Sequence, residues 1–152
     1  MTTAPADPAL AISNLILHYA ELMDLGDFAG VGQLFTHCAV TTDLSDEVRF
    51  GAALMQEQME TWTRRYPDNG TPHTKHVTTN LIIEVEPGAT TARARSYYTV
   101  FQATEGLALQ PIIAGRYHDE FGLIDGAWRF TKRHYINELY GNLSKHLLQG
   151  ID

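Results

Sequence analysis

From His73 to Leu139 the chain reads as one long succession of strands broken only by turn signals, and this run constrains the fold more than any other feature. His73–Glu86 ends at Pro87 and Gly88, and Thr90–Thr104 returns. A connection holding glycine and proline, Glu105–Pro111, leads into Ile112–Ile124. Asp125 and Gly126 are a two-residue hairpin signal before the last strand, Ala127–Leu139. Long strands joined by short turns form an antiparallel meander, and such strands twist and curve.

Helical patterns fill the chain ahead of the meander. Asp7 followed by Pro8 predicts a helix start, because a carboxylate caps free N–H groups and proline suits the first turn. Ile12, Leu15, Ile16, Tyr19, Leu22 and Met23 then make one apolar stripe, which Gly26 ends. Asp27 opens a second helix that turns Phe28, Val31, Leu34 and Phe35 inward. Residues 38–50 predict two short strands, and Gly51–Tyr66 a third helix carrying Met55, Met59, Trp62 and Tyr66. Pro67–Pro72 is a loop and residues 1–6 a disordered tail. Three helices followed by an antiparallel meander make an α+β chain: one domain over residues 1–152, a cone-shaped barrel of curved sheet wrapped around its helices. Apolar residues on both faces of the sheet predict that its outer face is covered, most economically by self-association.

Charge and cysteine usage narrow the partners. With 18 acidic and 11 basic residues the formal charge is −7, and Arg64-Arg65 and Lys132-Arg133 are isolated pairs. No basic stripe suits nucleic acid. Cys38 is the only cysteine, which fits a reducing cytoplasm and reads as a packed thiol. The N-terminus lacks the basic and then apolar pattern of a secretory signal, and no apolar run is long enough to span a membrane. A cytoplasmic location is expected.

The chemistry rests on a carboxylate and an imidazole. Asp24 falls in the last turn of the first helix, where its charge opposes the helix dipole and favours a cationic or imidazole partner. His76 lies on the first long strand, with Thr78, Asn80 and Ile82 on its face and Val77, Leu81, Ile83 and Val85 on the other. If the fold joins the two, Asp24 fixes the tautomer of His76 and makes it a proton-abstracting base. Alternation from Trp128 and Phe130 points Arg133 away from them, favouring a surface role, for instance with Glu138. His73 and His76 point to opposite faces of a strand, and no cluster has zinc-site spacing, so no metal is expected. His18, His37, His118, His134 and His146 read as solvent-facing or locally satisfied. There is no glycine-rich phosphate loop and no nucleophile elbow, so no cofactor is expected.

Several segments, in order, resemble the SnoaL-like branch of the nuclear transport factor 2-like superfamily. They are Tyr19, Met23–Phe28 and Leu34-Phe35, then His76–Asn80, Ala92–Tyr98, Gly115–Asp119 and Asp125–Phe130 with Arg133. The resemblance covers roughly Ala11 to Glu138 and implies a cystatin-like α+β roll with a largely apolar pocket, assembled as a homodimer or homotrimer. Asp24 and His76 match the dyad of scytalone dehydratase and of hexachlorocyclohexane dehydrochlorinase, and Arg133 matches an arginine of the dehydrochlorinase pocket. The scytalone-specific polar set is missing, since Ala114, Tyr117 and Met23 stand where that enzyme has histidine, asparagine and tyrosine.

The resemblance therefore implies a cofactor-independent lyase or isomerase acting on a small hydrophobic cyclic molecule, by dehydration, β-elimination, double-bond migration or cyclisation. Asp24, His76 and Arg133 are the catalytic candidates, with Tyr19, Met59, Trp62, Asn80, Tyr98 and Tyr117 as substrate-binding candidates. The superfamily also holds ligand-binding proteins and small subunits of ring-hydroxylating dioxygenases, so membership alone leaves the activity open.

Overall fold

The computed structural model describes residues 7–150; the expected tail at residues 1–6 lies outside the described residues. Helix α1 spans Pro8–Leu25, and the Asp7 carboxylate accepts the Ala9 N–H at 3.0 Å. Gly26 stops it at φ 72, a left-handed conformation natural to glycine. A Cβ there would also sit 2.4 Å from the Gly70 carbonyl oxygen, so the stop tolerates no side chain. Asp27 caps α2 (Phe28–Leu34) by accepting the Gly30 N–H at 2.9 Å. Helix α3 runs only from Ala52 to Trp62, short of the expected Tyr66. Thr63 turns extended and pairs with Leu147, so the C-terminal segment takes the backbone groups that further helix would have used.

The strands are β1 (Ala39–Thr42), β2 (Ser45–Phe50), β3 (Thr74–Glu84), β4 (Thr91–Thr104), β5 (Leu107–Ile124) and β6 (Ala127–Tyr140). They form one six-stranded sheet in the order β2-β1-β6-β5-β4-β3. The α+β architecture is the one the sequence predicts, but the sheet stays open, with β2 and β3 at its edges. One pairing, β1 with β6, is parallel. Asp125 and Gly126 have φ 52 and 79, the two positive values of a type I′ hairpin turn. Glu105–Pro111 is not a loop. Gly106, at φ 80, turns the chain, and β5 begins at Leu107. Pro111 is accommodated within β5 where the β4–β5 register slips, a place where a missing N–H is tolerated.

Two bulges overturn the expected alternation. On β3, Thr79 faces Tyr97 and Ile82 faces Arg95, so β3 carries one extra residue, and Asn80 there adopts φ 52. Beyond the bulge Leu81 and Ile83 pack on the core and Ile82 is exposed. On β6, Phe130 faces Phe121 and Lys132 faces Glu120, which leaves Thr131 as the extra residue. Phe130 and Arg133 are consequently both buried on the core side. The core joins Ile12, Ile16 and Met23 of α1 and Phe35 to Val100, Ile112, Phe121 and Phe130 of the sheet.

Candidate active site

Asp24 reaches β3 from the end of α1. The ring Nδ1 of His76 lies 2.6 Å from Asp24 Oδ1, and the His76 backbone N–H donates to Asp24 Oδ2 at 2.8 Å. The Thr74 hydroxyl donates to Oδ1 at 2.9 Å. Thr74 and His76 are two apart on one strand, so both point at the same carboxylate. Burial pushes the Asp24 carboxyl up, but the hydrogen bonds and charge of His76 and the bond from Thr74 outweigh it and hold it below its ordinary 3.8. An ionised carboxylate only accepts, so Nδ1 carries a proton and, in the neutral ring, the lone pair is left on Nε2. The side chains of His76 and Asp24 are 6% and 11% exposed, so this is an interior dyad.

Beside it sits an aromatic cluster with a cation at its centre. Tyr19 meets the His76 ring edge-on at 6.3 Å between centroids, and its hydroxyl lies 3.0 Å from that of Tyr135. The Arg133 guanidinium stands 3.9 Å from the Tyr117 ring centre and 4.5 Å from that of Tyr19. Asp119, its cross-strand partner, binds it bidentately at 2.7 and 2.9 Å. Burial alone would lower the Arg133 pKa; the charge and hydrogen bonds of Asp119 reverse that and keep the guanidinium charged. Its Nη1 is buried without a partner. The expected surface role is thus corrected: Arg133 is fully buried, and Glu138 pairs with Arg116 instead. The extra residue Thr131 is the reason, because it reverses the facing of the residues from Lys132 to Asn137.

The other candidates divide. Tyr117 is buried beneath Arg133 and stacked on Tyr98. The Tyr98 hydroxyl is committed to Asn137 at 2.6 Å. Met59 is half-buried against the core, and the Trp62 carbonyl accepts the Leu148 N–H. Asn80 does not join the set, since the β3 bulge leaves it exposed. The resemblance implies an apolar pocket, but Arg133 and the rings of Tyr19, Tyr117 and Tyr135 gather in the interior beside the dyad. An open groove of about 1130 Å³ approaches on the Asp24 side, lined by Tyr66, His73, Thr74, Leu109 and Lys145 among others.

Sequence reasoning missed Asp119, Tyr135 and His146. Asp119 and Tyr135 become relevant only through strand register, which no local pattern encodes. His146 was expected to be exposed or satisfied, yet it is 7% exposed and its Nδ1 has no partner. The remaining histidines agree better: His134 bonds Thr41 at 2.7 Å, and His18 lies 3.3 Å from Glu21 at the surface. Burial pushes the Cys38 thiol up to about 12, as suits a packed thiol.

The family model for the SnoaL-like domain matches residues 6–134. No curated protein matches the chain. Among solved structures, Rv3472, a function-unknown protein from Mycobacterium tuberculosis, is 25% identical with a TM-score of 0.68, over 86% of this chain and 71% of that one. A provisionally assigned scytalone dehydratase from Novosphingobium aromaticivorans is 22% identical with a TM-score of 0.66, over 86% and 84%. The beta subunit of a provisionally assigned aromatic-ring-hydroxylating dioxygenase from the same organism is 17% identical with a TM-score of 0.66, over 86% and 88%.

Proposed function

The chain belongs to the SnoaL-like domain family, and from that premise we propose that it is a cofactor-independent lyase or isomerase for a small hydrophobic cyclic molecule, with His76 as its base. The observation that carries this reading is the 2.6 Å contact between His76 Nδ1 and Asp24 Oδ1. Nε2 of His76 takes a carbon-bound proton, and the imidazolium that forms is balanced by Asp24. The carbon's electron pair moves into an enolate or expels a leaving group. Arg133, through its unpartnered Nη1, and the phenols around it stabilise the negative charge that develops. Dehydration, elimination, isomerisation and cyclisation share that first step.

The cytoplasmic location and a homodimeric or homotrimeric assembly belong to the same proposal. Among the described residues no helix is long and apolar enough to cross a membrane. Exposed Val77, Ile82 and Tyr97 on β3 and β4 support self-association through the outer face.

The test is turnover of a panel of cyclic β-hydroxy ketones and enones. His76→Ala should slow the reaction about 10²–10⁴-fold. A variant with near-full turnover would remove His76 as the base. A wild-type protein that turns over nothing but co-purifies with a large oxygenase subunit would mark it as a non-catalytic partner.

A further inference from the structure

The segment after β6 folds back as a strap over the end of α3. The Arg64 N–H donates to the His146 carbonyl at 2.8 Å, Leu148 N–H to the Trp62 carbonyl at 2.9 Å, and Arg64 Nη2 to the Leu147 carbonyl at 3.2 Å. Two further side chains fix its turn. The Tyr66 hydroxyl donates to the Lys145 carbonyl, and so does Gln102 Nε2, at 3.1 Å. Gln102 is the cross-strand partner of Thr74, which donates to Asp24. The strap therefore delivers its next residue, His146, to the neighbourhood of the dyad.

Only 7% of His146 is exposed, and its Nδ1 is one of four buried side-chain polar atoms without a hydrogen-bond partner among the described residues, with Ser96 Oγ, Gln102 Oε1 and Arg133 Nη1. An orphaned buried polar atom is costly, and one beside a proposed site is explained if a ligand completes it.

We propose that His146 is the second imidazole of this site, donating a hydrogen bond through Nδ1 to the substrate's oxygen while His76 takes the carbon-bound proton. This assignment rests on the lyase or isomerase reading above. The proton taken from carbon goes to His76, and the electron pair goes to the oxygen as an enolate. His146 keeps its own proton and stabilises that charge by hydrogen bonding alone. Burial first, and then the charge of His76, push the His146 pKa down to about 4 against a smaller opposing pull from Asp24, so at neutral pH the ring is uncharged and carries one N–H. A neutral imidazole suits this task, since it polarises a carbonyl without a buried charge of its own.

The test uses the full chain with 15N-labelled histidine, titrated with 2-naphthol, a planar phenol whose hydroxyl stands in for the enolate oxygen. The ring signals of His76 and His146 should shift together and saturate at one Kd. His146→Leu should weaken that Kd about tenfold, the order expected for one lost hydrogen bond to a buried partner. His146→Asn, whose amide lies near the position of Nδ1, should restore it to within about threefold. A His146 signal unmoved at saturation, equal Kd values in wild type and His146→Leu, or no saturable shift at either ring would overturn the assignment. If His146→Leu does not fold, the wild-type shifts and the His146→Asn Kd decide. Full turnover by His76→Ala would sink the base while leaving the naphthol contact at His146 intact, so the two failures are distinguishable.

Discussion

Asp119 and Arg133 form a fully buried ion pair, and its worth depends on which partner is removed. Asp119→Ala leaves a guanidinium buried and uncompensated and should cost about 3–5 kcal/mol of stability in urea denaturation. Glu138→Ala breaks only the part-exposed pair with Arg116 and should cost about 0–1 kcal/mol. Equal effects would contradict the burial of the first pair. His146 supplies a pH signature. Its folded pKa of about 4 lies below the ordinary 6.5, so the unfolded chain binds the proton first as pH falls. The stability tied to neutral His146 is complete above 6.5 and is lost progressively as pH drops toward 4. Asp24 acts in the same direction lower down, below its ordinary 3.8. Wild-type urea midpoints should therefore fall between those two His146 values, and His146→Asn should flatten that part of the curve. A flat wild-type curve there would contradict the burial of the ring.

The β6 bulge decides the site at the level of a single strand. Phe130 and Arg133 share the interior because Thr131 is an extra residue opposite β5. Deleting Thr131 restores strict alternation, so either the half of β6 carrying Arg133 turns outward or the half carrying Phe130 does. The expected outcome is loss of a single cooperative unfolding transition, read by tryptophan fluorescence against denaturant. Gly115 makes a related point at the β5–β6 irregularity. A Cβ there would fall 2.1 Å from the Ile136 carbonyl oxygen and 2.9 Å from the Tyr98 ring. Gly115→Ala should lower stability by about 1–3 kcal/mol through overpacking, measured the same way.

For the molecule as a whole, the sheet covers its helices on one face and leaves the other to be explained. Val77, Ile82 and Tyr97 are exposed on β3 and β4, where Val77 faces Thr99, Tyr97 faces Thr79 and Arg116, and Ile82 faces Arg95. Apolar side chains aligned on one face are characteristic of a surface that meets another chain. Light scattering after size exclusion should show a mass above that of the 17.0 kDa chain. Ile82→Lys with Tyr97→Lys should shift it toward one chain, and an unchanged mass would move the interface elsewhere.

Much of the architecture was legible because its signals are local. Caps at Asp7 and Asp27, the stop at Gly26, the stripe of α1 and the Asp125-Gly126 turn each act within a few residues. Asp24 was visible for the same reason, as a carboxylate at the unfavourable end of a helix. What remained hidden depends on register. The surplus residue of β3 near Asn80 and Thr131 in β6 reverse which side chains face inward around the site, and nothing in the composition of Asn80 or Thr131 announces it. Asp119 found Arg133 by pairing across strands, and His146 is buried by a strap fastened by backbone bonds to the end of α3 and by the Gln102 side chain. Side-chain direction along a strand is set by cumulative count, so a local pattern fixes the element while only the assembled sheet fixes what it points at.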